Sequence, residues 1–143
     1  MTYRPYDSLV ISNVGDSYIN NSGVSVQKAT PLRATLTKNV DFIDVSVESQ
    51  VRAIIGVSTD DISDGSSGYV IGTGRVKNIS IDAVFGDDIY VSKTGGLTNV
   101  HPEAGVGGFV EGDYAIRIGV IAHNESDSGL KDLLLNITII GQI

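Results

Sequence analysis

Cysteine and tryptophan are both absent from the 143 residues of this chain. Without cysteine there can be no disulfide bond, no thiol nucleophile and no thiolate metal ligand. A chain that needs no redox chemistry suits folding in a reducing cytosol. The remaining sites of chemistry must be built from carboxylates, hydroxyls, amines and the two histidines.

Positive charge is also scarce. The chain has ten Lys and Arg residues and 17 Asp and Glu residues, which gives a formal net charge of -7. The cations are scattered along the sequence from Arg4 to Lys131, with no run that could neutralise a phosphate backbone. We therefore expect no direct binding to nucleic acid.

Long hydrophobic runs and a secretory signal are missing as well. The longest apolar stretch, Leu133–Ile140, is interrupted by Asn136 and Thr138, and it falls short of the ~20 residues that span a bilayer as a helix. Residues 1–7 lack the charged start and apolar run of a signal peptide. The expectation is a protein that neither enters a membrane nor is secreted.

Glycine and turn-forming residues are abundant, and Phe85–Thr98 shows how they are used. Gly86, Asp87 and Asp88 supply turn chemistry, and Ile89–Val91 has strong strand propensity. Thr94-Gly95-Gly96 offers the positive φ angles of a tight hairpin. This stretch predicts a turn, a strand and a hairpin, and its pattern recurs along the chain.

Alternation of apolar and polar residues predicts most of the other strands. Between them, Asn13–Gly23 is interpreted as a loop or hairpin connection, Glu48–Gln50 as one helical turn and Val100–Gly108 as a longer loop. The alternation slips near Asn78, which predicts a bulge. The predicted strands are Leu9–Ile11, Val24–Gln27, Leu32–Leu36 at a sheet edge, Ile43–Val47, Arg52–Val57, Tyr69–Ile71, Arg75–Ile81, Ile116–Val120 and Leu133–Ile139.

These elements predict an all-β protein with one domain. We expect a single antiparallel β-barrel or β-sandwich in residues 8–143, with at most one short helical turn. Residues 1–7, which are polar, aromatic and interrupted by Pro5, are interpreted as an extended N-terminal arm. Glycine-rich turns at close spacing fit a barrel and a sandwich equally well.

No constellation of residues points to catalysis, a cofactor or a metal. Asp60–Gly65 resembles the start of a calcium loop, but Ile62 and Ile71 stand where oxygen ligands are needed. His101 and His123 have no third nitrogen or thiolate ligand for zinc. No Gly-x-Ser-x-Gly nucleophile motif is present. We predict that the protein is not an enzyme and carries no cofactor.

The arm contains the residue types that are enriched in protein interfaces. Tyr3, Arg4 and Tyr6 are aromatic or guanidinium side chains within four positions. One interpretation is an anchor for a partner surface. The other is a frayed terminus that touches its own domain.

Five turn and strand strings resemble the decoration, or cement, proteins of tailed-bacteriophage heads, in particular the small β-barrel type that forms trimers. The resemblance spans about residues 51–143, whereas the N-terminal third is similar only in being extended and polar. The strings are Gly56–Val57, Gly74–Val76, Gly86–Ser92, Gly95–Thr98 and Ile118–Ile121.

This resemblance implies a structural virion protein, made in the cytoplasm of a host bacterium and placed on the capsid exterior. It implies a homotrimer that binds junctions of major capsid protein subunits and stabilises the head. As a hypothesis, the contacts come from Tyr3, Arg4 and Tyr6 in the arm and from His101 and Pro102 in the loop.

Two other interpretations stay open. Similar strings occur in phage tail, collar and fibre proteins, so an adaptor role is the first alternative. A carbohydrate-binding β module is less favoured: it would use exposed aromatic side chains on one face, for which Tyr69, Tyr90 and Tyr114 are the candidates.

Overall fold

The computed structural model describes residues 14–124 and 129–143, and it confirms an all-β protein. Within these residues one short helix interrupts a series of strands. The elements are β1 Asp16–Asn20, β2 Pro31–Ala34, β3 Asn39–Asp41, α1 Glu48–Arg52, β4 Ile54–Ser58, β5 Ser67–Ile71, β6 Thr73–Ile79, β7 Asp88–Val91, β8 Leu97–Thr98, β9 Tyr114–His123 and β10 Lys131–Gln142.

The first five strands close into a small barrel in the order β1, β3, β2, β4, β5. Closure is made by β5, which pairs antiparallel with β1 through Asp16 opposite Val70. The pair β1 and β3 is parallel, which departs from the purely antiparallel barrel expected from the sequence. The smaller core of this half contains the buried side chains of Val26, Leu32, Val40, Ile62 and Val70. Val26 and Ile62 lie outside the strands and are joined by an isolated bridge.

The second half of the chain forms an antiparallel sheet in the order β6, β10, β9, β7, β8. The long strands β9 and β10 lie at its centre, so β6 and β8 are its two edges. The central strands carry the apolar alternation that the sequence showed, with Ile116, Ile118 and Leu133 fully buried.

A second, larger core joins the barrel to this sheet. Ile54 and Val57 of the barrel strand β4 pack in the same apolar cluster as Ile89, Ile118 and Leu133 of the sheet. The outer side of the barrel is therefore covered where it meets the sheet. The chain passes from β5 to β6 through a single residue, Gly72.

Three predicted features of the second half are confirmed. The Phe85–Thr98 stretch makes a turn, the strand β7 and a hairpin to β8, with Gly95 at φ 91° in the hairpin. Asn78 has φ 61°, and the register of β6 against β10 shifts beside it, as a bulge requires. The predicted loop Val100–Gly108 lies within a longer irregular segment, residues 99–113, between β8 and β9.

The helical turn at Glu48 is also confirmed and extends to Arg52 as α1. Arg52 Nε lies 3.3 Å from Glu48 Oε1, the i, i+4 spacing that supports a helix. Val51 is its buried residue and anchors the turn in the larger core.

Several predictions for the first half are wrong. Asn13–Gly23 is not only a connection, because it contains β1. Val24–Gln27 is not a strand, since Val26 makes only an isolated bridge to Ile62. The sequence did not predict β1 because Asp16 and Ser17 are polar and have weak strand propensity. The strand forms because it pairs with β3 and β5, and such tertiary pairing overrides local propensity.

Two more predicted strands differ from the structure. Ile43 and Val45 are buried, but residues 42–47 are irregular, and the pairing strand here is β3 just before them. Leu32 lies in β2, which is bonded on both sides to β3 and β4 and is not an edge. Pro31 is tolerated because it is the first residue of its strand.

Candidate partner-binding surface

The most distinctive surface feature is the loop of residues 99–113, which is long and irregular yet firmly anchored. Phe109 is only 2% exposed and packs in the larger core. Its backbone carbonyl accepts a hydrogen bond from Gly105 at 2.8 Å, and its own N–H donates to Val106 at 3.0 Å. The loop therefore has an internal turn held in place by a buried aromatic ring.

A buried ion pair holds the end of this loop. Lys93 Nζ, which follows β7, lies 2.7 Å from Asp113 Oδ2, and the N–H of Val110 donates to the same oxygen at 2.9 Å. Asp113 is 1% exposed, and its Oδ1 has no hydrogen-bond partner among the described residues. Removing Lys93 would leave a buried carboxylate unpaired, which is costly, so the pair fixes the loop to the hairpin.

The anchored loop turns three valines towards solvent. Val100, Val106 and Val110 are 45%, 37% and 55% exposed, and we call them the loop valines. Single exposed apolar residues are common on protein surfaces. Three of them on one anchored loop give a partner apolar side chains to contact without the cost of ordering a flexible segment.

The predicted contact residues fall in different places. The side chain of His101 is 60% exposed, and its ring meets the ring of Tyr90 edge-on at 5.2 Å between centroids. Pro102 is buried, so it shapes the loop from inside. Tyr3, Arg4 and Tyr6 lie outside the described residues, and their contact role stays a prediction.

A neighbouring apolar pair was missed by sequence reasoning. Val84 and Phe85 are 66% and 43% exposed, and the ring of Phe85 stacks on His123 with centroids 3.5 Å apart. The signal was present, since two apolar residues stand directly before the Gly86 turn, where polar residues are usual.

Asp87 brings this pair beside the loop. Its Oδ2 accepts hydrogen bonds from the Val84 N–H at 3.0 Å and from Asn99 Nδ2 at 3.1 Å. These two bonds hold the pKa of Asp87 below its usual value, and the bond from the Val84 N–H has the larger effect. Because Asn99 precedes Val100, Val84 and the start of the loop lie side by side.

Three tyrosines that were candidates for a sugar-binding face do not form one. Tyr69 is 52% exposed on β5 of the barrel, whereas Tyr90 on β7 is 6% exposed. Tyr114 on β9 is half-buried, and its hydroxyl donates to Glu48 Oε2 at 2.8 Å. Carbohydrate binding of the usual stacked kind needs several rings open on one surface, which these positions do not supply.

The acidic loop before β5 uses two of its carboxylates to bind backbone N–H groups of the segment between β1 and β2. Asp61 Oδ1 accepts from the Lys28 N–H at 2.8 Å, and Asp64 Oδ1 accepts from the Gly23 N–H at 3.0 Å. In residues 14–124 and 129–143, no group of three or more metal-ligating side chains comes together. The same residues contain no helix with the length and apolar character of a membrane span.

No protein-family model matches this sequence, and no curated protein matches it. The exposed surface and the resemblance of the turn and strand strings are therefore the features that bear on function.

Proposed function

We propose that this protein is a structural virion component that decorates a phage capsid, binding as a homotrimer at junctions of major capsid protein subunits. The observation that supports this most is the set of loop valines, which are exposed on a loop fixed by Phe109 and Asp113. The resembling strings Gly86–Ser92 and Gly95–Thr98 form the hairpin to which that loop is tied.

The energetics of such a surface suit a stabilising role. Complete burial of an exposed valine side chain contributes about 1.5–3 kcal/mol, and the loop valines, which are about half exposed, would each contribute roughly half of that. An anchored loop also avoids an ordering cost of about 0.5–1.5 kcal/mol for each side chain that would otherwise be mobile. Each subunit of a trimer presents the same surface. Once one has bound, the others bind as if intramolecularly, and avidity can exceed single-site affinity by ~10² to 10⁴.

The loop valines give the main test. A V100S/V106S/V110S variant should fold normally but bind purified capsids of the encoding phage much less, as measured by co-sedimentation. The matched control is V14S/V24S/L36S, which removes three exposed apolar side chains elsewhere and should bind normally. Equal occupancy of both variants would reject the loop as the contact, and no binding by the unmodified protein would reject capsid decoration.

The arm gives a separate prediction. Deleting residues 1–7, with Tyr3, Arg4 and Tyr6, should weaken capsid binding and leave the circular dichroism spectrum and thermal midpoint unchanged, because an extended segment can add to a partner's sheet edge. Unchanged occupancy of the truncated protein on capsids would contradict an arm contact.

The homotrimer is tested in solution. Light scattering on a sizing column, repeated over a dilution series, should give three times the 15.1 kDa mass of one chain. A monomer at every concentration would contradict a preformed trimer.

The runner-up function is a tail, collar or fibre adaptor, which would use the same apolar surface on another virion component. Immunogold labelling of intact particles separates the two, since a decoration protein labels the head and an adaptor labels the tail or its collar. A carbohydrate-binding role has less support because Tyr90 and Tyr114 are engaged within the fold.

A further inference from the structure

The positive charges, although scattered in sequence, are not used evenly in the fold. Among the described residues, six of the nine Lys and Arg side chains lie in ion pairs with carboxylates: Arg33, Lys38, Arg52, Arg75, Lys93 and Arg117. The other three, Lys28, Lys77 and Lys131, pair with no carboxylate of the described chain. We call them the β6 lysines.

All three lie around residues 77–81, at the end of the edge strand β6. Lys28 Nζ donates to the carbonyl of Asn78 at 3.4 Å, and Lys131 Nζ donates to the carbonyl of Ile81 at 3.1 Å. Lys77 is exposed and directly precedes Asn78. Three cations thus lie close together at one sheet edge of a protein with a net charge of -7.

A groove of about 580 Å³ runs along this region. It is lined by residues 27–30, by residues 78–81 at the end of β6, and by Gly96 and Leu97 at the start of β8, where β6 and β8 are the two edge strands of the second sheet. Asp61 also belongs to the lining, and its Oδ1 accepts a hydrogen bond from the Lys28 N–H at 2.8 Å. Lys28 is the β6 lysine that lines the groove, whereas Lys77 and Lys131 lie at its margin beside Asn78 and Ile81. Ala29 and Ile79, each 5% exposed, give it an apolar floor, and Leu97 of β8 adds to it.

We propose that this groove binds an extended, acidic segment of a partner protein, whose backbone adds to the sheet edge and whose carboxylates meet the β6 lysines. Side chains of an extended chain alternate in direction. Apolar ones can therefore enter the groove over Ile79 while acidic ones face Lys28, Lys77 and Lys131. This inference rests on the proposed function for the identity of the partner, which is a capsid subunit. It adds that the subunit presents an extended, acidic segment.

A peptide fits better than a nucleic acid. Tight binding to a phosphate backbone takes about 6–10 contacts from cations. Here one lysine lines the groove, two more lie at its margin, and Asp61 and an apolar floor complete it. The remaining surface is acidic and would repel a long polyanion. Strand addition, by contrast, draws affinity from main-chain hydrogen bonds and specificity from alternate side chains, and both edge strands contribute residues here.

The test uses the full chain and synthetic peptides. The probe is a pool of fluorescent ten-residue peptides in which Asp or Glu alternates with Val or Ile, and the control pool has Lys in place of the acidic residues. Fluorescence anisotropy should show binding of the acidic pool alone. A K28Q/K77Q/K131Q variant should bind it about tenfold more weakly, since three exposed ion pairs each add modestly.

A variant with the same net charge provides the control. K38Q/R52Q/R117Q removes three cations that are already paired, and it should keep the affinity of the unmodified protein. Failure of the unmodified protein to bind the acidic pool, or equal binding by both triple variants, would overturn the proposal. A single-stranded oligonucleotide that binds in place of the peptides, and is lost in K28Q/K77Q/K131Q, would also overturn it.

These outcomes are independent of the capsid assay. The groove and the loop valines share no residue, and the peptide measurement needs no particles. Binding of the acidic pool without co-sedimentation with capsids would support the groove as a peptide site and would contradict the capsid role.

Discussion

At the scale of single residues, Asp132 is the most heavily used carboxylate of the second sheet. It is 2% exposed, and Arg75 Nη1 lies 2.7 Å from its Oδ2. Its Oδ1 accepts from the Asn78 N–H at 3.1 Å and from Asn124 Nδ2 at 2.8 Å. One carboxylate thus holds the β6 bulge and the end of the strand pair β9 and β10.

This arrangement determines how Asp132 titrates. Burial acts to raise its pKa, but the hydrogen bonds from Asn124, Arg75 and the Asn78 N–H, together with the charge of Arg75, outweigh burial and hold the pKa below its usual value. Because the folded pKa is lower than the unfolded one, Asp132 stabilises the fold above the unfolded value. That contribution is lost as the pH falls through the folded pKa.

Asp132→Asn should therefore lower the free energy of unfolding by about 2 kcal/mol at pH 7, the range for a hydrogen bond to a charged group. The difference from the unmodified protein should shrink as the pH is lowered below 4. Urea unfolding over a pH series measures this. Asp82→Asn, at an exposed position, is the control, and a difference that stays constant with pH would contradict the account.

Asn20 has a comparable role at one end of the barrel. It is fully buried at the end of β1, and its Nδ2 donates to the carbonyls of Val24 and Ile62, both at 2.8 Å. Its Oδ1 accepts from the N–H and the hydroxyl of Ser22. Every polar atom of the side chain is satisfied, which is what burial of an amide requires.

Asn20→Ala should cost about 2 kcal/mol of unfolding free energy, because it leaves buried backbone groups without partners. The exposed neighbour Asn21 gives the control, since Asn21→Ala should change stability by less than about 0.5 kcal/mol. Chemical denaturation at pH 7 compares the two. Similar small effects for both would show that water replaces the Asn20 side chain at the barrel end.

At the scale of elements, the pairing of β9 with β10 depends on a close approach at Gly119. A Cβ atom built there would lie 1.9 Å from the carbonyl oxygen of Leu134, a backbone atom that cannot move aside. The register between these two strands shifts just beyond this point, after Leu135. A side chain at position 119 would force the two central strands of the sheet apart.

Gly119→Ala should accordingly lower the free energy of unfolding by about 3 kcal/mol, the upper range for overpacking. Gly96→Ala is the control, because its Cβ would meet nothing closer than Ser92 Oγ at 3.7 Å. Urea unfolding of the two variants gives the comparison. A Gly119→Ala protein as stable as the control would mean that β9 and β10 can separate without loss.

The elements also show what the sequence could predict. Phe85–Thr98 was predictable because turn residues, strand formers and a glycine hairpin occur in order within fourteen positions. β1 was not, since its polar residues are held by long-range pairing with β3 and β5. Ile43 and Val45 alternate like a strand but are buried in an irregular segment, because burial does not require a ladder partner.

The candidate surfaces divide in the same way. The loop of residues 99–113 followed from its glycines and Pro102, whereas the exposure of its valines depends on the anchors Phe109 and Asp113. The β6 lysines are more than 100 positions apart from first to last. Only the folded chain brings Lys28 and Lys131 to one strand edge.

At the scale of the whole molecule, the larger core makes barrel and sheet dependent on each other. Val57 of the barrel and Ile118 of the sheet belong to the same buried cluster. Unfolding one half would expose the apolar side of the other, which favours a single cooperative transition. This supports the expectation of one domain in residues 8–143, which stays a prediction.

Hydrogen exchange of backbone amides tests that cooperativity. In the limit of global opening, the amides of Val70 in β5 and Ile118 in β9 should exchange with free energies that agree within about 1 kcal/mol. Low concentrations of urea should lower the two free energies with the same dependence on urea concentration. A lower free energy of opening for the barrel amide than for the sheet amide would show that the two halves are separate folding units.

The single-residue passage at Gly72 also affects the order in which the chain can fold during its synthesis. All five barrel strands precede it and all five strands of the second sheet follow it. On the ribosome, the residues of all five barrel strands are therefore synthesised before any strand of the second sheet. Until that half emerges, Ile54 and Val57 lie uncovered, so a nascent chain paused beyond residue 72 would be a natural client for a chaperone.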